Sequence, residues 1–298
     1  MKDLVSITRA NFLPLAIVIV LASLAAAFYA HRVFNPLDAA LVMVGGVLAH
    51  AAVNAFNNYF DYRSKIDERT SKTPFSGGVD TLVKGMMKPS QALTVCLVCM
   101  ILAGLIGVYF LERMFNILLP LVVYGAVVIV LYTPILSRVD ALSELVAGSG
   151  FGLMGLGAYI TQTGVADATG IAIFVPITIL VALLLFLNEF PDAEVDKLAR
   201  RRHIVILIGK KRSAWLYVMG QAATYLSIIV AMVLRAMPVT TLLALATLPI
   251  AYKAASIALK SYDRTPELVP ALGSNVIFIL STISLLAVGF VAAAIFQL

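Results

Sequence analysis

His50, Asn54, Asn57, Asn58 and Asp61 follow one another at spacings of four, three, one and three, and Asp67 comes six residues later. On a helix these spacings form one polar stripe. Further along, Asn188, Asp192 and Asp196 stand four apart and stack on a common helical face. Clustered Asp and Asn oxygens suit a hard cation, and Mg2+ usually keeps several waters and completes its shell with a few carboxylates and phosphate oxygens. The chemistry within reach is therefore the binding of Mg2+ together with a diphosphate. Interfacial caps and snorkelling side chains would explain either stripe alone, but they explain poorly two stripes at one depth.

The elements that must carry these stripes are membrane helices. Of the 298 residues, 61% are hydrophobic and 13% charged, a balance that a water-facing surface does not carry. Apolar runs fall at roughly 12–30, 38–60, 91–111, 115–132, 141–162, 170–190, 214–234, 238–258 and 268–297, each long enough to cross a bilayer as a helix. They predict an all-α polytopic membrane protein with nine transmembrane helices in one bundle, and a single integral-membrane domain over 1–298. With a cytoplasmic N-terminus, 19 of the 22 Lys and Arg residues fall on the cytoplasmic side, as the positive-inside bias requires. The second and sixth spans then both deliver their acidic ends to the cytoplasmic face, where the two stripes can meet.

Two long cytoplasmic loops are expected, at about 61–90 and 191–213. The first contains Ser76-Gly77-Gly78, a turn or a close backbone approach to a ligand, and ends at Lys88-Pro89-Ser90, with Ser90 as the cap of the third span. Carboxylates at a helix C-terminus oppose the helix dipole, so cations are needed nearby; Arg9, Lys65, Arg69, Lys72, Lys197 and Arg201 are candidates to neutralise a diphosphate. His50 is open to two readings, as a base or metal ligand or as a hydrogen-bonded structural histidine, and His203 in its basic loop reads as solvated. Cys96 and Cys99 read as helix filler. A cleaved signal peptide at the N-terminus is disfavoured, because the run from Phe12 to Ala30 exceeds an ordinary signal core. The positive charge is explained by the membrane bias, so no nucleic-acid partner is expected, and no obligatory protein partner is evident.

Asn57-Asn58-Tyr59-Phe60-Asp61 with Asp67, paired with Asp192-Ala193-Glu194-Val195-Asp196, resembles the two aspartate-rich motifs of the UbiA superfamily of intramembrane prenyltransferases. The resemblance implies that Asn58, Asp61, Asp192 and Asp196 hold Mg2+ and the diphosphate of an isoprenyl donor, with Asp61, Asp192 and Asp196 as the catalytic acids and Asn54 and Asn188 as helpers. Asn58 departs from the family pattern, which has aspartate there. Tyr132 and Arg138 resemble the family's tyrosine followed by a basic residue near the diphosphate, and Asp67, Lys65 and Arg69 complete the expected substrate contacts. Asp61 to Asp67, Thr73-Pro74-Phe75-Ser76-Gly77-Gly78 and Gly157-Ala158-Tyr159-Ile160-Thr161-Gln162-Thr163-Gly164 are similar to the branch that prenylates 1,4-dihydroxy-2-naphthoate for menaquinone. What the resemblance implies is Mg2+-dependent transfer of a polyprenyl group at the cytoplasmic leaflet to a small aromatic acceptor. A glycerophosphate ether lipid acceptor is the alternative. A secondary transporter is the rival from another class, but transporter sites lie near the midplane between inverted repeats, and this chain shows no such repeat.

Overall fold

The computed structural model describes residues 2–67, 70 and 72–297, and all regular structure among them is helical. The helices are α1 (Lys2–Ile7), α2 (Pro14–His31), α3 (Pro36–Arg63), α4 (Pro89–Leu131), α5 (Leu142–Thr163), α6 (Ala168–Leu198), α7 (Ile204–Ile208), α8 (Lys210–Val233), α9 (Leu248–Ser261) and α10 (Thr265–Phe296). Among the described residues seven helical stretches are long and apolar enough to cross a membrane: Ala10–His31, Pro36–Arg63, Pro89–Leu131, Ala168–Leu198, Lys210–Val233, Val239–Ser261 and Thr265–Phe296. The chain is an all-α, multi-pass membrane bundle.

These seven fall two short of the nine expected runs, for visible reasons. The runs 91–111 and 115–132 both lie in α4, which leaves helical geometry only at Met114 (φ −137, ψ 43). A Cβ at Gly107 would sit 3.7 Å from the Val122 side chain, whereas a straight helix would hold those positions about 22 Å apart. The chain thus reverses at Met114 without a loop. The run 141–162 forms α5, which Ser143, Glu144, Ser149, Gln162 and five glycines make too polar to stand among the seven.

Helix starts follow local chemistry. Asn35 Oδ1 accepts from the N–H groups of Leu37 (3.0 Å) and Asp38 (3.2 Å), and Pro36 opens α3. Asp167 caps α6 through Thr169 and Gly170. At α4 the cap is Lys88 rather than the expected Ser90: Gln91 Oε1 accepts from the Lys88 N–H at 2.9 Å, which places Ser90 inside the first turn. Helix α6 also runs past the expected start of its loop. Pro191 lies inside it and the acidic stretch stays helical to Leu198; Pro191 forfeits one hydrogen bond, but burial of Phe190 and Ala193 against Leu187 and Tyr217 keeps the helix going.

Packing sets where the site can open. The main core joins α2, α5, α6, α8 and α10 around Ile19, Tyr159, Ile177, Leu180, Phe278 and Phe290. Helices α5 and α6 meet backbone to side chain: a Cβ at Gly148 would stand 2.4 Å from the Thr178 carbonyl, and one at Gly152 2.1 Å from Thr178 Oγ1. A second cluster places Ile7 of α1 against Ala55, Phe56, Leu82, Met87 and Cys96. The free thiol of Cys96 is buried there and Cys99 is half-buried, as helix filler would be.

Candidate active site

Helices α3 and α6 end side by side, and Arg201, in the turn after α6, bridges them. Its Nη2 bonds Asp61 and its Nη1 bonds Asp196 Oδ1 at 2.9 Å. Burial works against the Arg201 charge, but Asp61 and Asp196 outweigh it and raise the guanidinium pKa above its ordinary value. Asp192 Oδ2 accepts from the Gly77 N–H at 3.2 Å. Gly78 (φ 72) lies against Asp67, and a Cβ there would stand 2.5 Å from Asp67 Oδ1. The Ser76-Gly77-Gly78 turn is therefore a close backbone approach, to the two acidic motifs themselves. Thr73 Oγ1 shapes it by accepting from the N–H groups of Phe75 and Ser76. Burial, and then the neighbouring Asp61 charge, push the Asp67 carboxyl up to about 7.

These residues form the polar end of a cavity of about 460 Å³, lined among others by Asn54, Asn57, Asp61, Asp192, Asp196 and Tyr132. Its remainder is apolar and lies between α3, α4 and α5, reaching Val42, Phe110, Leu118 and Leu153. From Asp61 to Val42 along α3 is about 28 Å at 1.5 Å per residue. His50 lines the middle, edge-on to Phe151 at 4.7 Å, with its Nδ1 unpaired. It is thus not the hydrogen-bonded histidine of the structural reading.

Asp67 and Asn188 line the cavity as well, whereas Lys65 and Arg138 are exposed and outside its lining. Arg69 lies outside the described residues. Lys72 pairs with Asp80 rather than with the acidic motifs. Asn58 is buried, and both ends of its amide are engaged: Oδ1 accepts from Arg9 Nε (3.2 Å) and Nη2 (3.0 Å), and Nδ2 donates to the Ile7 carbonyl (2.8 Å).

Three residues join the site that sequence reading passed over or misplaced. His203 is 1% exposed, a correction of the solvated reading. It packs between Glu189, with Nδ1 3.6 Å from Oε2, and Asp196, with Nε2 3.3 Å from Oδ2. Glu144, Glu189 and His203 bring ligand atoms within 4.8 Å of one another, a set able to hold a metal ion. Ser143 Oγ donates to Glu144 Oε2 at 2.7 Å, and Glu144 Oε1 accepts from the Ile204 N–H at 2.7 Å. A lone glutamate in each of two apolar runs was the available signal, because an intramembrane acid is a functional candidate by default.

The donors converging at the cavity mouth are carboxylate and amide oxygens, and Asp192 Oδ1 and Asn188 Oδ1 are buried with no hydrogen-bond partner. Unpaired buried oxygens are costly, and a hard divalent cation with its waters satisfies them. The residues fit Mg2+.

Fold and site together define a membrane-embedded acidic centre at the head of an apolar tunnel, and the chain belongs to the UbiA prenyltransferase family, whose sequence model matches residues 16–279. It is 30% identical over 181 residues to the 1,4-dihydroxy-2-naphthoate octaprenyltransferase of Bacillus subtilis (strain 168); the match takes in 60% of this chain and 57% of the length of that relative. Solved structures share the fold. An apo UbiA homolog from Aeropyrum pernix K1 superposes with a TM-score of 0.70 at 16% identity, covering 95% of this chain and 97% of that one. A UbiA homolog from Archaeoglobus fulgidus bound to DMAPP and Mg2+ gives 0.61 at 14%, covering 96% and 99%. A structure of digeranylgeranylglyceryl phosphate synthase gives 0.60 at 17%, covering 100% and 99%.

Proposed function

We propose that this chain transfers a polyprenyl group from an isoprenyl diphosphate to an aromatic quinone-precursor acceptor, at the cytoplasmic face of the membrane and with Mg2+. The observation that carries this reading is the convergence of Asp61, Asp192 and Asp196 at the polar end of a cavity that is otherwise apolar. Asp61, Asp192 and Asp196 would hold Mg2+, with Asn188 as helper. When bound, Mg2+ supplies positive charge to the departing diphosphate, an electrostatic effect that is often the largest catalytic contribution.

Arg201 holds Asp61 and Asp196 at a fixed separation, so the carboxylates need little reorganisation when the diphosphate arrives. The apolar walls around Phe110, Leu118 and Leu153 receive the tail and exclude water from the allylic carbon. As the allylic C–O bond breaks, its electron pair leaves with the diphosphate. The electron-rich ring carbon of the acceptor bonds the allylic carbon and then gives up the group it carried, a proton or, on a carboxylated ring, CO2, which restores the aromatic ring. Of the aromatic residues that could face the developing cation, Tyr132 lines the cavity, whereas Phe60 stacks on Phe56 and Tyr59 packs beneath Arg63. Tyr132 is the cation-stabilising candidate. Asn54 and Asp67 complete the polar wall; Lys65 and Arg138 would have to swing inward to reach a diphosphate.

The topology proposed with this function is nine crossings, counting the two halves of α4 and α5 as spans, in a single domain with the N-terminus cytoplasmic. The aromatic acceptor is favoured by the identity to the Bacillus subtilis relative. The deciding experiment incubates purified protein with labelled geranylgeranyl diphosphate, Mg2+ and either dihydroxynaphthoate or geranylgeranylglyceryl phosphate. Alkylation of dihydroxynaphthoate is expected. Alkylation of the glycerophosphate alone would transfer the chain to the ether-lipid reaction, and no alkylation of either would refute the proposal.

A further inference from the structure

Two guanidinium groups stand at the polar end of the cavity, and they are held in opposite ways. Arg201 is bonded by two carboxylates, Asp61 and Asp196, so its charge is cancelled within the protein. Arg9 is bonded by amides: Nη2 donates to Asn57 Oδ1 (2.9 Å) and Asn58 Oδ1 (3.0 Å), and Nε donates to Asn58 Oδ1 (3.2 Å). An amide oxygen accepts these bonds without neutralising the cation. Among the described residues no carboxylate lies within ion-pair distance of Arg9 and its Nη1 makes no hydrogen bond, yet Arg9 shares the cavity wall with Asp61, Asp67 and Asp192. Its charge is left for something else.

The anchoring of Arg9 supports the same conclusion. Its backbone is left-handed, with φ 48 and ψ 55, a conformation that costs a non-glycine residue about 1–3 kcal/mol and persists where the surroundings impose it. Here they do. Ile7 is fully buried, Ser6 bonds Thr81 across 2.7 Å, Asn54 Nδ2 donates to the Thr8 carbonyl at 3.0 Å, and Asn58 Nδ2 donates to the Ile7 carbonyl at 2.8 Å. Three asparagines of the α3 stripe thus grip residues 7–9 rather than a ligand. The two lone pairs of Asn58 Oδ1 are both taken by Arg9, which leaves none for a metal.

We propose that Arg9 is the un-neutralised cation that receives the donor's diphosphate, and that Asn58 is a positioning residue for Arg9 and not a metal ligand. The inference rests on the prenyl-diphosphate reading above. In the full-length protein, an unreactive thio-diphosphate analogue of the donor is titrated in EDTA and again with Mg2+, and Mn2+ binding is counted by EPR. Replacing Arg9→Gln is expected to weaken analogue binding about tenfold or more in EDTA, as loss of a charged hydrogen-bonding partner does, and Arg9→Lys to recover part of it. Asn58→Leu is expected to weaken the analogue when Arg9 is present, to do so less than about twofold on the Arg9→Gln background because the two act as one unit, and to leave Mn2+ binding unchanged.

Analogue affinity in EDTA unaltered by Arg9→Gln would overturn the inference, as would independent addition of the two losses or loss of Mn2+ on Asn58→Leu. A change confined to the acceptor's KM would do so too, by assigning Arg9 to the other substrate. The functional reading fails separately, if the wild-type protein binds no analogue with Mg2+.

Discussion

At the scale of single residues, the unpaired oxygens of Asp192 and Asn188 carry the sharpest expectation. Asp192→Ala should cut transfer at least about 100-fold while the protein still inserts and purifies, because it removes charge stabilisation and not packing; radiolabelled prenyl transfer on the purified variant checks this. Asp67 offers a pH test in metal-free protein. Its native carboxyl is raised to about 7, from an ordinary value of 3.8, so the folded state binds the proton more tightly than the unfolded chain. Its contribution to stability is full below about 4 and is lost as pH rises towards about 7. Asp67→Asn should therefore flatten the fall in melting temperature between pH 5 and pH 8 in EDTA, and a variant that falls as steeply as wild type would refute the assignment. The acids at positions 61, 192 and 196 were legible because helical spacing prints them into the sequence. Glu144 and the burial of His203 were not, and Arg9 was legible only as one of six candidate cations, without its asparagine partners. The bonding partners of Arg9 and Glu144 lie 49 and 60 positions away along the chain, and a contact between distant segments leaves no period to read. His203 is close in sequence to Glu189 and Asp196, but only the turn after α6 folds it back against them.

Among the elements, α5 and α4 show two uses of glycine that substitution separates. Gly152 is a contact glycine: a side chain there meets Thr178 Oγ1 and the Phe174 ring, so Gly152→Val should cost about 1–3 kcal/mol through overpacking, read as a lower melting temperature. Gly104 of α4 lines the cavity with nothing within 4 Å of its would-be Cβ. Gly104→Phe should leave the melting temperature near wild type and bias the enzyme towards short donors, measured by the relative rates with geranyl and geranylgeranyl diphosphate; equal relative rates would place the tail elsewhere. The helical character of every span was legible from its apolar runs. The end of α6 was not, because Pro191 reads as a stop and only tertiary burial of Phe190 and Ala193 shows why the helix continues. Nor was the joining of two runs into α4, since a one-residue break has no turn signature.

For the whole molecule, orientation is the quantity to test. In a background lacking Cys96 and Cys99, single cysteines at Lys84 and Lys197 should react with an impermeant thiol reagent only from the cytoplasmic side, and one at Arg235 only from the opposite side; the reverse pattern would place the acidic centre on the wrong face. The chain reversal at Met114 also bears on how the protein is made. Arg113, beside that break, pairs with the buried Asp38 at the start of α3 at 2.8 Å and sits over the Tyr109 ring. In the nine-crossing topology proposed above, the halves of α4 have no linker between them and are expected to enter the bilayer together rather than one at a time. They are then expected to insert as a hairpin, with α3 already beside them to pair Asp38 with the arginine at its tip. The order of synthesis and the order of assembly are then the same, and a flexible spacer inserted after Met114 would harm biogenesis before it harmed catalysis.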